Sequence, residues 1–173
     1  MTIGEANMYY KNNEIHLCSL LQGLPGAVAV MSGRAENSEI YGTVKFYQAI
    51  GGVLIVADIL GLPTSPEACK SPIFAFHIHG GSSCSGNGED PFANAGSHYN
   101  PSDCPHPYHA GDMPPLFGAN GRAFLAFLTD RFTLNEILGK TVIIHDGVDD
   151  FSTQPSGNAG KKIACGVISS VRR

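Results

Sequence analysis

The chain has 173 residues, of which 43 % are apolar and 15 % charged, and its net charge is -4. That length supports one domain with a buried core, and the charge pattern offers no basic stripe or Lys/Arg block to a nucleic acid or an anionic membrane surface. No apolar run is long enough to cross a bilayer. The five cysteines form no CxxC pair, which argues against a zinc ribbon or a thioredoxin-like centre and leaves at least one thiol free within a monomer.

Residues 1–25 read as an extension that ends in the Gly23, Pro25, Gly26 punctuation, and residues 26–173 read as the folded domain. The start, MTIGEANMYYKNNEIHLC, lacks a basic segment followed by an apolar stretch. No secretory signal is therefore expected and a cytoplasmic location is the default, with an extracytoplasmic one open if a signal had been removed. His16, alone in this extension, reads as an ordinary surface histidine.

Short β-patterned runs follow. AVAVM (27–31), EIYGTVKFYQA (39–49) and GGVLIVADIL (51–60) are rich in β-branched and aromatic residues and are bounded by turn formers. IGG at 50–52 predicts a tight hairpin. After a Pro-punctuated loop comes IFAFHIHG. Read with a period of two, Phe74, Phe76 and Ile78 share one face, suited to a core, while Ala75, His77 and His79 share the other. Two imidazoles thus stand on one side of one strand, roughly 7 Å apart at the backbone.

From Gly80 to Pro115 the β pattern vanishes into Gly, Pro, Asn, Ser and Asp. A structureless stretch of that length in a compact domain is functional or disordered, and its three histidines favour function. RAFLAFLTD (122–130) and KTVIIHD (140–146) resume the strand pattern; between them TLNE (133–136) matches a capping box and predicts one helical turn. A further Gly/Ser/Asp loop precedes the last strand, KIACGVISSV (162–171). No internal repeat is visible. The whole predicts an all-β class: an eight-stranded Greek-key β-barrel or sandwich with two long functional loops.

Six of the seven histidines lie between residues 77 and 145. His77, His79 and His145 end strands and form a nitrogen-rich platform; imidazole suits copper, zinc, iron and nickel, and a roughly planar nitrogen set suits Cu(II). In GSHYNPSDCPHPYHAGDMPP, His98, His106, His109 and Asp112 are spaced 8, 3 and 3 apart. Pro105, Pro107 and Gly111 exclude a regular helix, so loop geometry must aim these side chains. Three nitrogens and one carboxylate oxygen make the closed tetrahedral set that a structural Zn²⁺ takes. An ion there would also order a loop that has no hydrophobic core of its own.

The stretches FHIHG, GSHYNP, HPYHAGD, GKTVIIHD and GNAGKKIACGVI, in this order, resemble copper/zinc superoxide dismutases, and the similarity runs from about residue 27 to 168. The resemblance implies copper held by His77, His79, His98 and His145, and zinc held by His98, His106, His109 and Asp112. His98 would touch both ions. Asp149 would link the two shells through ligand imidazoles. Cys165 would be half of a disulfide whose other half fits Cys84, as in the bacterial branch, since Phe92 stands at the eukaryotic-like position. A Cys69–Cys104 bridge is a further pairing that sequence leaves open. The implied activity is dismutation of superoxide, with catalytic roles for His98 and Lys162. No nucleic-acid or membrane partner is implied, and a homodimer is among the states the family adopts.

Three departures bear on rate. Lys162 stands where the family has an active-site arginine, replacing a fork of donors by a point charge. The loop from Asp149 to Cys165 is shorter than the eukaryotic one, in a family that is itself a known case of electrostatic steering. Gly80 follows the HxH where an acid is usual. The alternative from another class is a non-catalytic copper/zinc-binding protein on the same scaffold, a metal carrier or structural component.

Overall fold

A computed structural model describes residues 19–67 and 72–171. The His16 and Cys69 readings, and all but the end of the N-terminal extension, lie outside the described residues.

Among the described residues nine strands form: β1 (Ala27–Gly33), β2 (Tyr41–Ala49), β3 (Gly52–Leu60), β4 (Ile73–Phe74), β5 (Phe76–His79), β6 (Leu116–Phe117), β7 (Arg122–Thr129), β8 (Thr141–His145) and β9 (Lys162–Ser170). Seven make one antiparallel sheet in the order β5-β8-β9-β1-β2-β3-β7, and β4 pairs with β6. β4 runs on into β5 and β6 leads into β7, so this short ribbon ties the two edge strands of the curled sheet together. The result is the all-β Greek-key barrel that the pattern predicts.

Alternation along the strands builds the core. Ala27, Ala29 and Met31 of β1, Val44 and Phe46 of β2, and Val53, Ile55, Ala57 and Ile59 of β3 are all buried in one cluster. Val142 and Ile144 of β8 point into it with Phe76 and Ile78 of β5. Ile143, on the opposite face, packs with Phe92, Ala95 and Cys165 in a second, smaller cluster. The predicted hairpin closes through a two-residue loop, Ile50-Gly51; Gly51 has φ 85°, a left-handed conformation that costs glycine little. The helical turn Leu134–Ile137 also forms, with Glu136 Oε2 accepting the Thr133 N–H at 2.6 Å.

The nine strands, against eight expected, reflect two additions to the seven runs read from sequence: the division of IFAFHIH and the short β6. IFAFHIH is broken at Ala75: its N–H donates to Gly147 O at 2.8 Å, and its carbonyl accepts the His145 N–H at 2.9 Å. The backbone there serves the end of β8, so β4 is free to pair with β6, a two-residue strand too short to leave a period.

Candidate metal centre

β5 is an edge strand, and the 80–115 loop covers its open edge. Ile78 N–H donates to Gly111 O and Ile78 O accepts the Tyr99 N–H, each at 2.8 Å; Gly80 N–H donates to Ser97 O at 2.8 Å. Isolated bridges pair His77 with Asp112 and His79 with His98. An exposed edge carries unpaired backbone groups, and satisfying them with loop segments sets His98 and Asp112 beside the strand histidines. Gly111 permits this approach, because a Cβ would lie 2.2 Å from Ile78 O.

Every sequence-predicted donor converges here. His77, His79, His98 and His145 form one group of buried side chains, and His98, His106, His109 and Asp112 form a second; within each group the donor atoms lie within 4.8 Å of one another. His98 belongs to both. Its ring centroid is 3.9 Å from that of His77, 4.9 Å from His79, 5.7 Å from His106, 5.4 Å from His109 and 6.2 Å from His145.

Hydrogen bonds decide which nitrogen of each ring faces inward. His77 Nε2 donates to Asp149 Oδ2 at 2.7 Å, and His106 Nε2 to Asp149 Oδ1 at 2.8 Å. His79 Nδ1 donates to Gly96 O at 2.7 Å, and His145 Nδ1 to Gly160 O at 3.2 Å. Each of these bonds fixes a tautomer and leaves the other nitrogen as a lone-pair donor. Asp149 thus holds one ring of each group. Gln154 pins the same region by exchanging hydrogen bonds with the backbone of His106, at 2.9 and 2.7 Å.

Three of the inward nitrogens find no hydrogen-bond partner in the protein. His77 Nδ1, His98 Nε2 and His106 Nδ1 are buried without a hydrogen-bond partner, although His106 Nδ1 lies 3.0 Å from Asp112 Oδ2; the separation is short but the direction does not suit a hydrogen bond. His79 Nε2 faces His145 Nε2 at 3.3 Å, two lone pairs turned toward each other. On the other side His98 Nδ1 lies 2.7 Å from Asp112 Oδ1 and 3.4 Å from His109 Nδ1. Buried polar atoms without partners are rare and costly, and one cation in each group would satisfy them. The donor chemistry, nitrogens only in one group and nitrogens plus a carboxylate in the other, fits a copper-type and a zinc-type site respectively.

Electrostatics keep the donors in the right protonation state. Burial lowers the pKa of His77, and that of His79 further; for His145 burial and the nearby imidazoles bring it to about 3. These rings are neutral at physiological pH and retain their lone pairs. Burial pushes the Asp149 carboxyl up, but hydrogen bonds from His77, the Phe151 N–H and His106 outweigh that and bring it to about 2. Asp112 is likewise lowered: burial raises it, while its bond to His98 and the adjacent imidazoles prevail.

The predicted disulfide is present. Cys84 and Cys165 are bonded, 81 residues apart in sequence, and tie the loop to β9. Cys104 is the free cysteine among the described residues. Lys162 reaches the centre's cavity, a space of about 1050 Å³ that His79, His98 and His145 also line. Its ammonium is not free there: it is paired with Asp90.

Several participants carry no signal that the sequence reading used. The Gly96 and Gly160 carbonyls act through backbone, which any residue supplies. Gly157 packs its Cα against the Asp149–His106 pair; a Cβ would lie 2.0 Å from Asp149 Oδ1, and its φ is 67°. Its place in a Gly/Ser loop hides this. Asp90, 72 residues from Lys162, is one of many acids in its loop.

A Greek-key sheet whose edge carries two overlapping, imidazole-rich donor groups defines a metal-binding β-barrel protein. Residues 40–168 match the family model described as copper/zinc superoxide dismutase. The chain is similar to the Cu-Zn superoxide dismutase 2 of Aquifex aeolicus, at 35 % identity over 147 residues, covering 76 % of this chain and 81 % of that protein. It is also similar to the Cu-Zn superoxide dismutase of Legionella pneumophila, at 36 % identity with 73 % and 76 % covered. The Photobacterium leiognathi enzyme of the same name is 32 % identical, with 85 % and 89 % covered. The chain belongs to the copper/zinc superoxide dismutase family.

Proposed function

We propose that this protein is a superoxide dismutase, converting two superoxide anions and two protons into oxygen and hydrogen peroxide. In this reading His77, His79, His98 and His145 would hold copper, and His98, His106, His109 and Asp112 would hold zinc. Bound copper supplies one-electron exchange with superoxide, and bound zinc a fixed positive charge. The observation that carries the reading is the position of His98, whose Nδ1 lies against Asp112 while its Nε2 is buried without a partner.

His98 Nε2 is therefore the atom at which a proton is taken up and given back, since Nδ1 is committed to the Asp112 side. Asp149 orients His77 and His106 together, so neither donor group shifts without the other. The Gly96 and Gly160 carbonyls hold His79 and His145 with Nε2 inward. Lys162 supplies the cation that docks a small anion in the cavity. The start of β1 at Ala27 supports a domain spanning 26–173, with 1–25 an extension. No helix among the described residues is long and apolar enough to cross a membrane; the Cys84–Cys165 bridge favours an oxidising compartment over the cytoplasmic default.

The test is metal content per chain measured beside superoxide removal, with and without added copper, for the parent and His98→Ala. The parent is expected to bind both metals and to remove superoxide only when copper is loaded. His98→Ala is expected to lose the activity by about 10²-fold or more, the scale on which loss of a positioned proton-transfer group is felt. Both metals bound without superoxide removal would instead define a metal carrier or structural component.

A further inference from the structure

The cavity over the centre has mixed charge. Arg34, Lys161 and Lys162 line it together with Glu89, Asp90 and Asp146. Among these, Lys162 and Asp90 are joined in an ion pair, the lysine side chain only 16 % exposed and the aspartate 37 %. The pair joins two walls, since Lys162 begins β9 opposite His145 in register and Asp90 lies in the 80–115 loop.

Asp90 is held in place independently of the lysine. Its Oδ1 accepts the Phe92 N–H at 2.9 Å. Its N–H donates to Asn87 Oδ1 at 2.9 Å, and its carbonyl accepts the N–H groups of Asn87 and Ala93 at 2.9 and 3.1 Å. Phe92 is itself buried against Cys165, and the Cys84–Cys165 bond fastens this loop to the strand that carries Lys162. Only Oδ2 is left for the ammonium, and the carboxylate cannot swing away without breaking the turn.

We propose that Asp90 is a built-in counter-anion that competes with incoming anions for Lys162 and so sets the anion affinity of the cavity. The inference rests on the reading that Lys162 docks a small anion. A lysine is a compact point charge, and an anion arriving beside it must share that charge with a carboxylate already in contact and repelling the newcomer. Asp90 thereby weakens retention of resident anions at the site where superoxide must enter and peroxide must leave.

The probe is azide, titrated into the copper- and zinc-loaded protein and followed by the copper absorption band it perturbs. Asp90→Asn keeps an oxygen for the Phe92 N–H and removes the charge. It is expected to tighten azide binding by about two- to fivefold, the range of a partly exposed ion pair. Lys162→Met is expected to weaken azide binding, and Asp90→Asn added to Lys162→Met to change it no further. If Asp90→Asn leaves azide affinity unchanged or weakens it while Lys162→Met weakens it, Asp90 only orients the ammonium and the competition is refuted. Equal tightening with and without Lys162 would also refute it, leaving simple repulsion. If Lys162→Met has no effect, the docking role of Lys162 itself fails and the competition falls with it.

Discussion

The two donor groups meet at one ring but are built in different ways. His77, His79 and His145 sit on β5 and β8, whose other faces carry Phe76, Ile78, Val142 and Ile144 in the main core. Their positions follow from strand pairing and apolar burial, the dominant favourable term in folding. His98, His106, His109 and Asp112 sit in a loop whose order comes from edge hydrogen bonds to β5, the Asp149 and Gln154 contacts, and one disulfide. One side is preformed by packing, whereas the other is assembled by polar contacts of modest net worth. The loop side therefore depends more on its fastenings.

Removing the largest fastening should show this most clearly. Cys84→Ala is preferable to a change at Cys165, which is buried and would add a cavity. It opens the cross-link between residues 81 apart, and an expected loss of about 2–5 kcal/mol follows from the freer unfolded chain. Amides at 98–112 should lose hydrogen-exchange protection before those at 76–79 and 141–145. Simultaneous loss in both segments would mean that the sheet side is no more self-sufficient than the loop.

Asp149 offers a finer cut, because it touches one ring from each side. Asp149→Ala should lower metal affinity by about 10–100-fold, the usual cost of losing a partner that orients a ligating histidine. Chelator competition read separately for copper and zinc checks it. A fall in zinc affinity alone would sharpen the contrast, since His77 would then be oriented by its strand without help. A fall in copper affinity alone would reverse it.

The same contrast explains what the sequence made legible. The alternation in FAFHIHG put both histidines on one face, and strand periodicity is a local property that survives into the fold. HxH, the spacing of the loop donors and the Thr133–Glu136 capping pattern are also local. The alternation did not reveal that the histidine face is as buried as the core face: His77 is 0 % and His79 2 % exposed. That burial comes from loop segments about 20 to 35 positions further on, seated by backbone hydrogen bonds that have no residue code. The Lys162–Asp90 pair is non-local in the same way. A cation near the right strand was visible, but its partner across the cavity was not.

Two arginines at either end of β7 give the smallest and most local test. Arg122 forms a two-pronged pair with Asp58 on the neighbouring strand, both bonds at 2.9 Å and both side chains open to solvent. Arg131, just past the other end, directs one nitrogen, Nη1, at the carbonyls of Pro107, His109 and Asp112, each at 3.2 Å. The strand pairing under Arg122 is already complete in register, so its pair adds to a structure that stands without it. Arg131 instead gathers three carbonyls of a segment that has no core, two of them from residues of the zinc-type group. Arg131→Ala should speed hydrogen exchange at 107–112 by roughly fivefold, on the order of 1 kcal/mol after allowing for solvent screening. Arg122→Ala should leave exchange in β3 and β7 unchanged within error. If the two substitutions act alike, an arginine matters equally on a packed sheet and on a polar loop, and the division between the halves of the centre does not hold.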